Sequence, residues 1–160
     1  FSQVLQKFPD LKLHIIGEGN YLGYSQKLSC ELNINDSIVF CGWKIMQDIQ
    51  KIMSNCDLCV LPSRIESFGL TIAEAMAAGI PVISTKTGAI PEIIKDKETG
   101  VLVPSEDIEA LTKAMIYALE TIDKMQDMAK AARKMVKEMF SWDLTAKKHI
   151  EIYKLILSNE

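Results

Sequence analysis

The sequence predicts an α/β domain, an open, doubly wound parallel sheet carrying extra helices at its C-terminal end. Three observations predict it. Short, mostly apolar runs alternate with amphipathic helical stretches along the first two thirds of the chain, the pattern of strands covered on both faces. Glycine, serine and proline punctuate the ends of those runs. Beyond Val103 the punctuation stops and the rest reads as helix. Alternation of this kind implies right-handed crossovers between parallel neighbours.

The first strand spans Leu11 to Ile16 and ends in Gly17-Glu18-Gly19, followed by a helix from about Tyr21 to Leu32. Ser37 to Phe40 is the second strand, ending near Gly42, and Ile45 to Met53 the next helix. Leu58 to Leu61 is the third strand, closed by Pro62-Ser63. A helix from Gly69 to Ala78 follows, with Gly79 as its C-terminal stop. Pro81 launches the fourth strand, Val82 to Ser84, and Gly100 the fifth, Val101 to Val103, with a short turn at Pro91 to Ile94 between them. Ser105 is the expected N-cap of the next helix, with Glu106 and Asp107 in the first turn, where the helix dipole favours acids. Three apolar stripes at helical spacing complete the chain. They run through Ile108, Leu111, Met115, Ala118 and Leu119, then Met125 to Met139, then Ala146, His149, Ile150, Tyr153, Ile156 and Leu157.

With 160 residues, 48% of them hydrophobic, the chain suits one core and reads as a single domain, 1–160. A net charge of -3 argues against a nucleic-acid partner. No apolar run approaches the roughly 20 residues that span a bilayer, and no signal peptide is visible. Cys30, Cys41, Cys56 and Cys59 are too few and too irregular for a disulfide framework. These features predict a reduced, cytoplasmic protein. The start at Phe1, without Met, predicts a piece of a longer one.

Sheets of this class bind ligands beyond the carboxyl ends of their strands. Gly17 and Gly19, Gly42, Ser63 through Gly69, and Gly88 all follow strand ends, so four loops converge on one edge. The densest signal is the stretch from Leu61 to Met76. A strand ends, a loop delivers Glu66, Gly69 opens a helix, and Glu74 sits about one turn inside it. The free N–H groups and positive dipole of a helix start make a phosphate seat, and glycine there permits close approach to the backbone. One carboxylate can accept hydrogen bonds from vicinal ribose hydroxyls, the other from the hydroxyls of a sugar. Singly, each carboxylate reads as structural, a solvated acid or a helix-start acid. Together, with Gly69 between them, they read as a site.

Glu, seven residues, Glu, with Phe68-Gly69-Leu70 inside and Glu74-Ala75-Met76-Ala77-Ala78-Gly79-Ile80-Pro81-Val82-Ile83 following, resembles the signature of the retaining family-4 (group 1) glycosyltransferases of GT-B fold. Ile15-Ile16-Gly17-Glu18-Gly19, Val39-Phe40-Cys41-Gly42, Gly88 to Ile94, Gly100 to Val103 and Phe140-Ser141-Trp142 match in order, so the resemblance covers essentially the whole chain. It implies the Rossmann-like, donor-binding C-terminal domain of such an enzyme. In that role Glu74 holds the ribose and Glu66, the catalytic candidate, the transferred sugar. Ser67, Phe68, Gly69 and Leu70 lie along the diphosphate, which meets the N–H groups of the last three. Gly17, Glu18, Gly19, Gly42 and Trp43 border the nucleotide. The family retains anomeric configuration and uses no metal; the donor is a nucleoside-diphosphate sugar and no further cofactor is implied. The acceptor, a saccharide or lipid-linked molecule, belongs to an N-terminal domain, and the full-length protein is expected in the cytoplasm or at the inner face of the membrane. This chain departs from the pattern in lacking the family's first strand, its Arg–Lys pair for the diphosphate, and the N-terminal domain. Truncation at the N-terminal edge predicts that the chain alone is inactive. The family's last helix crosses back to the N-terminal domain, so part of the stripe through Ile150, Tyr153 and Leu157 is expected to lack its partner here. A GT-B sugar-nucleotide epimerase and a non-catalytic sugar-nucleotide-binding module are the alternatives.

Weaker signals read as structure. Gly17-Glu18-Gly19 with Gly23 has the wrong spacing for a dinucleotide fingerprint. Cys56 and Cys59 run into a strand, where a redox pair would open a helix, and Cys30 and Cys41 do not complete a zinc set. They are expected to be small buried residues. His149 is expected to be packed, the methionines to fill core, and Arg64 to be a surface residue.

Overall fold

The strands form in the expected order, and their hydrogen bonding divides them into two parallel sheets. The computed structural model describes residues 1–158; Asn159 and Glu160, the last two positions of the expected domain, lie outside the described residues. Along the chain the elements are α1 (Ser2–Leu5), β1 (Leu13–Ile16), α2 (Leu22–Glu31), β2 (Ile38–Gly42), α3 (Met46–Met53), β3 (Cys59–Leu61), α4 (Leu70–Ala78), β4 (Val82–Thr85), α5 (Ile90–Ile93), β5 (Val101–Val103), α6 (Ile108–Glu120), α7 (Ile122–Met139) and α8 (Trp142–Leu157). A 3-10 turn at Asn35–Ser37 leads into β2. The pairing is β1 with β2 and β3-β4-β5, all parallel, so one continuous sheet is replaced by a pair and a triplet. Periodicity identifies strands but carries no information on which edges meet. β1 pairs with β2 and β3 with β4, and β1 and β3 are not paired with each other.

The triplet shows why its strands read as unbroken apolar runs. Side chains alternate across a strand, and here both faces are covered. Val82 and Leu102 point into a core built with Ile72, Met76, Ile93 and Val136 from α4, α5 and α7. Ile83, Val101 and Val103 point the other way, onto Val4, Met115, Ala118 and Met125. Every residue of β4 and β5 is buried, whereas β1, β2 and β3 are only partly covered. The methionine stripe of α7 fills core as expected at Met125, while Met139 at its end is exposed.

Two local expectations change and one holds. The cap of α6 is Asp107, whose Oδ1 accepts from the Ala110 N–H at 2.8 Å, and not Ser105. Glu106 adopts a left-handed backbone, φ +62°, so the helix cannot begin before it. The pairing of β2 continues past Phe40 to Gly42 because Ile16 reaches it through a register shift after Ile15. The stripe of α8 lacks its partner among the described residues, as the resemblance implied. None of its residues is buried, and Ile150, Tyr153 and Leu157 are 51%, 60% and 71% exposed. His149 is therefore exposed as well, its Nδ1 2.8 Å from the Thr145 carbonyl and its ring edge-on to Tyr153.

Candidate functional site

The residues singled out by the sequence fall into two clusters at carboxyl ends of strands. The first is the β3–α4 junction. Gly69 is the residue before α4, and being glycine it supplies no side-chain cap. Among the described residues the N–H groups of Phe68, Gly69 and Leu70 take no hydrogen-bond partner in the protein. Unsatisfied donors at a helix start carry the positive end of the macrodipole. Gly69 itself is buried, in left-handed backbone at φ +95°, and a Cβ on it would stand 2.4 Å from Ile90 Cδ1. Its lack of a side chain thus serves the packing of α5 as much as access to the backbone.

Glu66 and Glu74 flank this helix start. Glu66 is partly buried in the loop, with Ser63 Oγ 3.4 Å from its Oε2. Glu74 lies in the second turn, and the first turn holds no acid. Its carboxylate takes no hydrogen bond or ion pair among the described residues, although it is partly covered. A helix-start acid belongs in the first turn, where the dipole acts; Glu74 lies beyond it. Ser67 and Leu70 are exposed. Phe68 turns its ring edge-on to Phe140, with centroids 5.5 Å apart. That contact anchors the helix start to the end of α7, a role for Phe140 that the sequence did not reveal.

The second cluster joins the ends of β1 and β2. The Gly17 N–H donates to the Gly42 carbonyl at 2.9 Å, and the Trp43 N–H donates to Glu18 Oε1 at 3.2 Å. The Glu18 carboxylate therefore ties the two loops together, while the Trp43 side chain, 67% exposed, is left free. Gly19 has open space on its Cβ side. The two clusters lie on different sheets, and no hydrogen bond joins them among the described residues.

Two cavities among the described residues, the second beside the loop that carries Glu66, are lined by neither Glu66 nor Glu74. One of about 430 Å³ lies between α1 and the end of α2, and one of about 250 Å³ lies between Pro62, Arg64, Glu106 and Ile108. Arg64 is on the surface as expected, its Nε 3.1 Å from Glu106. The cysteines are all free thiols. Burial, and then Cys56, push the Cys59 thiol up to about 11. Burial first, then Asp57 and Cys41, raise Cys56. Thiols held protonated are poor nucleophiles and poor metal ligands. Cys30 is exposed and the other three are only partly covered, so the expected burial of Cys56 and Cys59 is not complete, Cys59 being the more enclosed of the two.

The family model described as glycosyl transferases group 1 matches residues 1–135. The chain belongs to the group 1 glycosyltransferases. Among relatives, N-acetyl-alpha-D-glucosaminyl L-malate synthase of Bacillus anthracis is 32% identical over 151 residues, covering 94% of this chain and 39% of its own length. A glycosyltransferase structure from Rickettsia africae superposes with a TM-score of 0.89 at 29% identity, over 99% of this chain and 44% of that one. The C-terminal domain of a group 1 family glycosyl transferase from Francisella tularensis superposes at 0.77 with 25% identity, over 88% of this chain and 75% of that domain. The group 1 domain described here therefore has the fold of a GT-B C-terminal domain and spans less than half the length of the longer proteins it matches. No helix of the described residues is long and apolar enough to cross a membrane.

Proposed function

We propose that this chain is the donor-binding domain of a retaining glycosyltransferase that moves a sugar from a nucleoside-diphosphate sugar to an acceptor. One observation carries the reading. An uncapped helix start, with N–H groups at Phe68, Gly69 and Leu70 that take no partner among the described residues, is flanked by Glu66 and by a Glu74 likewise without one. As the glycosidic bond to the diphosphate breaks, negative charge grows on the leaving oxygens. Donors and a dipole fixed in advance at that point lower the barrier without reorganising. Glu74 is assigned to the ribose hydroxyls and Glu66 to the hydroxyls of the transferred sugar. Ser67 lies beside the diphosphate, and Gly17, Glu18, Gly19, Gly42 and Trp43 border the nucleotide. The chemistry asks for no metal ion and no cofactor beyond the donor itself.

The site is an open edge, and a cleft needs a second wall. We assign that wall, and the saccharide or lipid-linked acceptor, to a separate N-terminal domain. The unpaired edges of β1 and β3 are the places where a further strand of the longer protein would add. A reduced cytoplasmic setting, including the inner face of the membrane, suits the free thiols. The test is a thermal-shift screen of UDP, GDP and ADP with their sugars. At least one nucleoside diphosphate and its sugar are expected to raise the melting temperature. Stabilisation by none of them at millimolar concentration would count against the proposal, as would multiple-turnover sugar transfer by this chain alone against the need for a second domain.

A further inference from the structure

Glu66 sits on a loop, Pro62 to Phe68, that has no regular structure, and within residues 63–68 no backbone–backbone turn bond forms. Fixing such a loop on a ligand costs conformational entropy each time one binds. Here the loop is held from outside by the end of β4. Ser84 Oγ donates to the Leu61 carbonyl at 2.8 Å, Thr85 Oγ1 to the Ser63 carbonyl at 2.5 Å, and Thr87 Oγ1 to the Arg64 carbonyl at 2.9 Å. Ser105 Oγ adds a longer contact of 3.4 Å to the Ser63 carbonyl. One residue on, Gly88 lies against Glu66 itself. A Cβ at Gly88 would stand 1.6 Å from the Glu66 carbonyl oxygen and 2.8 Å from its carbonyl carbon, so only glycine fits.

Residues 84–88 therefore run beside residues 61–66, hydroxyl to carbonyl, and end on the residue that carries the carboxylate. Ser84 and Thr85 are buried in a strand whose other two residues are Val82 and Ile83, where apolar side chains would fill the space more simply. Their hydroxyls instead donate to the carbonyls of Leu61, at the end of β3, and of Ser63, in the loop. We propose that Thr85, Thr87 and Gly88 are positioning residues for Glu66, holding the loop so that its carboxylate meets the transferred sugar already oriented. The proposal rests on the reading of Glu66 as the sugar-holding carboxylate.

Thr87 gives the cleanest test, because it lies beyond β4 and outside the apolar core. Thr87→Val keeps the shape and removes the donor; Thr87→Ser keeps the donor. Dissociation constants are read by NMR titration, into the millimolar range, for whichever pair responds among UDP and UDP-glucose, GDP and GDP-mannose, or ADP and ADP-glucose. For Thr87→Val the sugar-bearing ligand is expected to weaken about three- to tenfold, the loss of one net hydrogen bond. The diphosphate is expected to change less than about twofold, and Thr87→Ser to restore the wild-type pattern. Glu66→Gln runs beside them as the control. Equal weakening of both ligands by Thr87→Val, or no weakening of the sugar while Glu66→Gln weakens it, overturns the positioning role alone. A Glu66→Gln protein that binds both ligands as wild type overturns the reading of Glu66, and the proposal with it. Absence of any resonance shift with all three pairs overturns the donor site as a whole.

Discussion

Glu74 and Glu66 are chemically identical and are distinguished only by what each can reach. Glu74→Gln is expected to weaken nucleoside diphosphate and nucleotide-sugar alike, since both carry the ribose. Glu66→Gln is expected to lower affinity for the sugar-bearing donor alone. Each loss should be about 1.5–3 kcal/mol, tenfold or more, and calorimetry reads it directly. Neither change should lower the melting temperature appreciably, because among the described residues Glu74 has no partner and Glu66 only a long contact from Ser63. Gly69→Ala is the contrasting case. Left-handed backbone and a Cβ 2.4 Å from Ile90 Cδ1 predict a destabilisation of about 2–4 kcal/mol in urea melts, whatever happens to binding. Cys59 predicts a pH effect. Its thiol is raised from an ordinary 9.0 to about 11, so the folded state holds the proton more tightly than the unfolded chain. That stability is fully present below about pH 9 and is lost as pH rises through 11. Urea melts from pH 8 to 11 should show a shallower decline for Cys59→Ala than for wild type, and identical slopes would contradict the assignment. Both carboxylates were legible in the sequence. The hydroxyls of Thr85 and Thr87 were not, because a threonine at or beyond a strand end carries no mark of the loop carbonyl it will meet.

Strands and helices were the easiest features to read, since β3, β4, β5 and α4 have boundaries set by Pro62, Pro81, Gly100, Gly69 and Gly79. Pairing was not legible, for a β-strand sequence is the same whichever neighbour it receives. The cap of α6 escaped because it depends on Glu106 taking a left-handed backbone, which glutamate seldom does. Helix α8 behaves as the resemblance implied, since its apolar stripe was expected to lack a partner in this chain. Its stripe is amphipathic and helical, yet nothing in the described residues covers it. It is held by its cap, the Ser141 hydroxyl accepting from the Leu144 N–H at 3.2 Å, and by its own backbone. Ser141→Ala should cost about 1 kcal/mol of local helix stability. Hydrogen exchange is expected to show residues 146–157 exchanging far faster than β4, and faster still in the variant. Protection of this helix equal to that of β4 would mean that another surface covers it.

At the scale of the molecule, the triplet sheet and its two cores form the rigid part, and the candidate site lies along the carboxyl ends of strands from both sheets. That the candidate loops follow the carboxyl ends of strands was legible from the chain order alone, by the rule for parallel sheets. What the order could not give is whether the loops of the β1–β2 pair and the start of α4 act on one ligand, since no hydrogen bond joins them. That is the central claim. Amide chemical shifts, recorded during titration with the nucleoside diphosphate that stabilises the protein most, test it directly. The predicted result is simultaneous, saturable perturbation at Gly17, Glu18, Gly19 and Trp43 and at Phe68, Gly69 and Leu70, described by one dissociation constant and weakened throughout by Glu74→Gln. Perturbation confined to one cluster, or centred on the cavity beside α1, would contradict it.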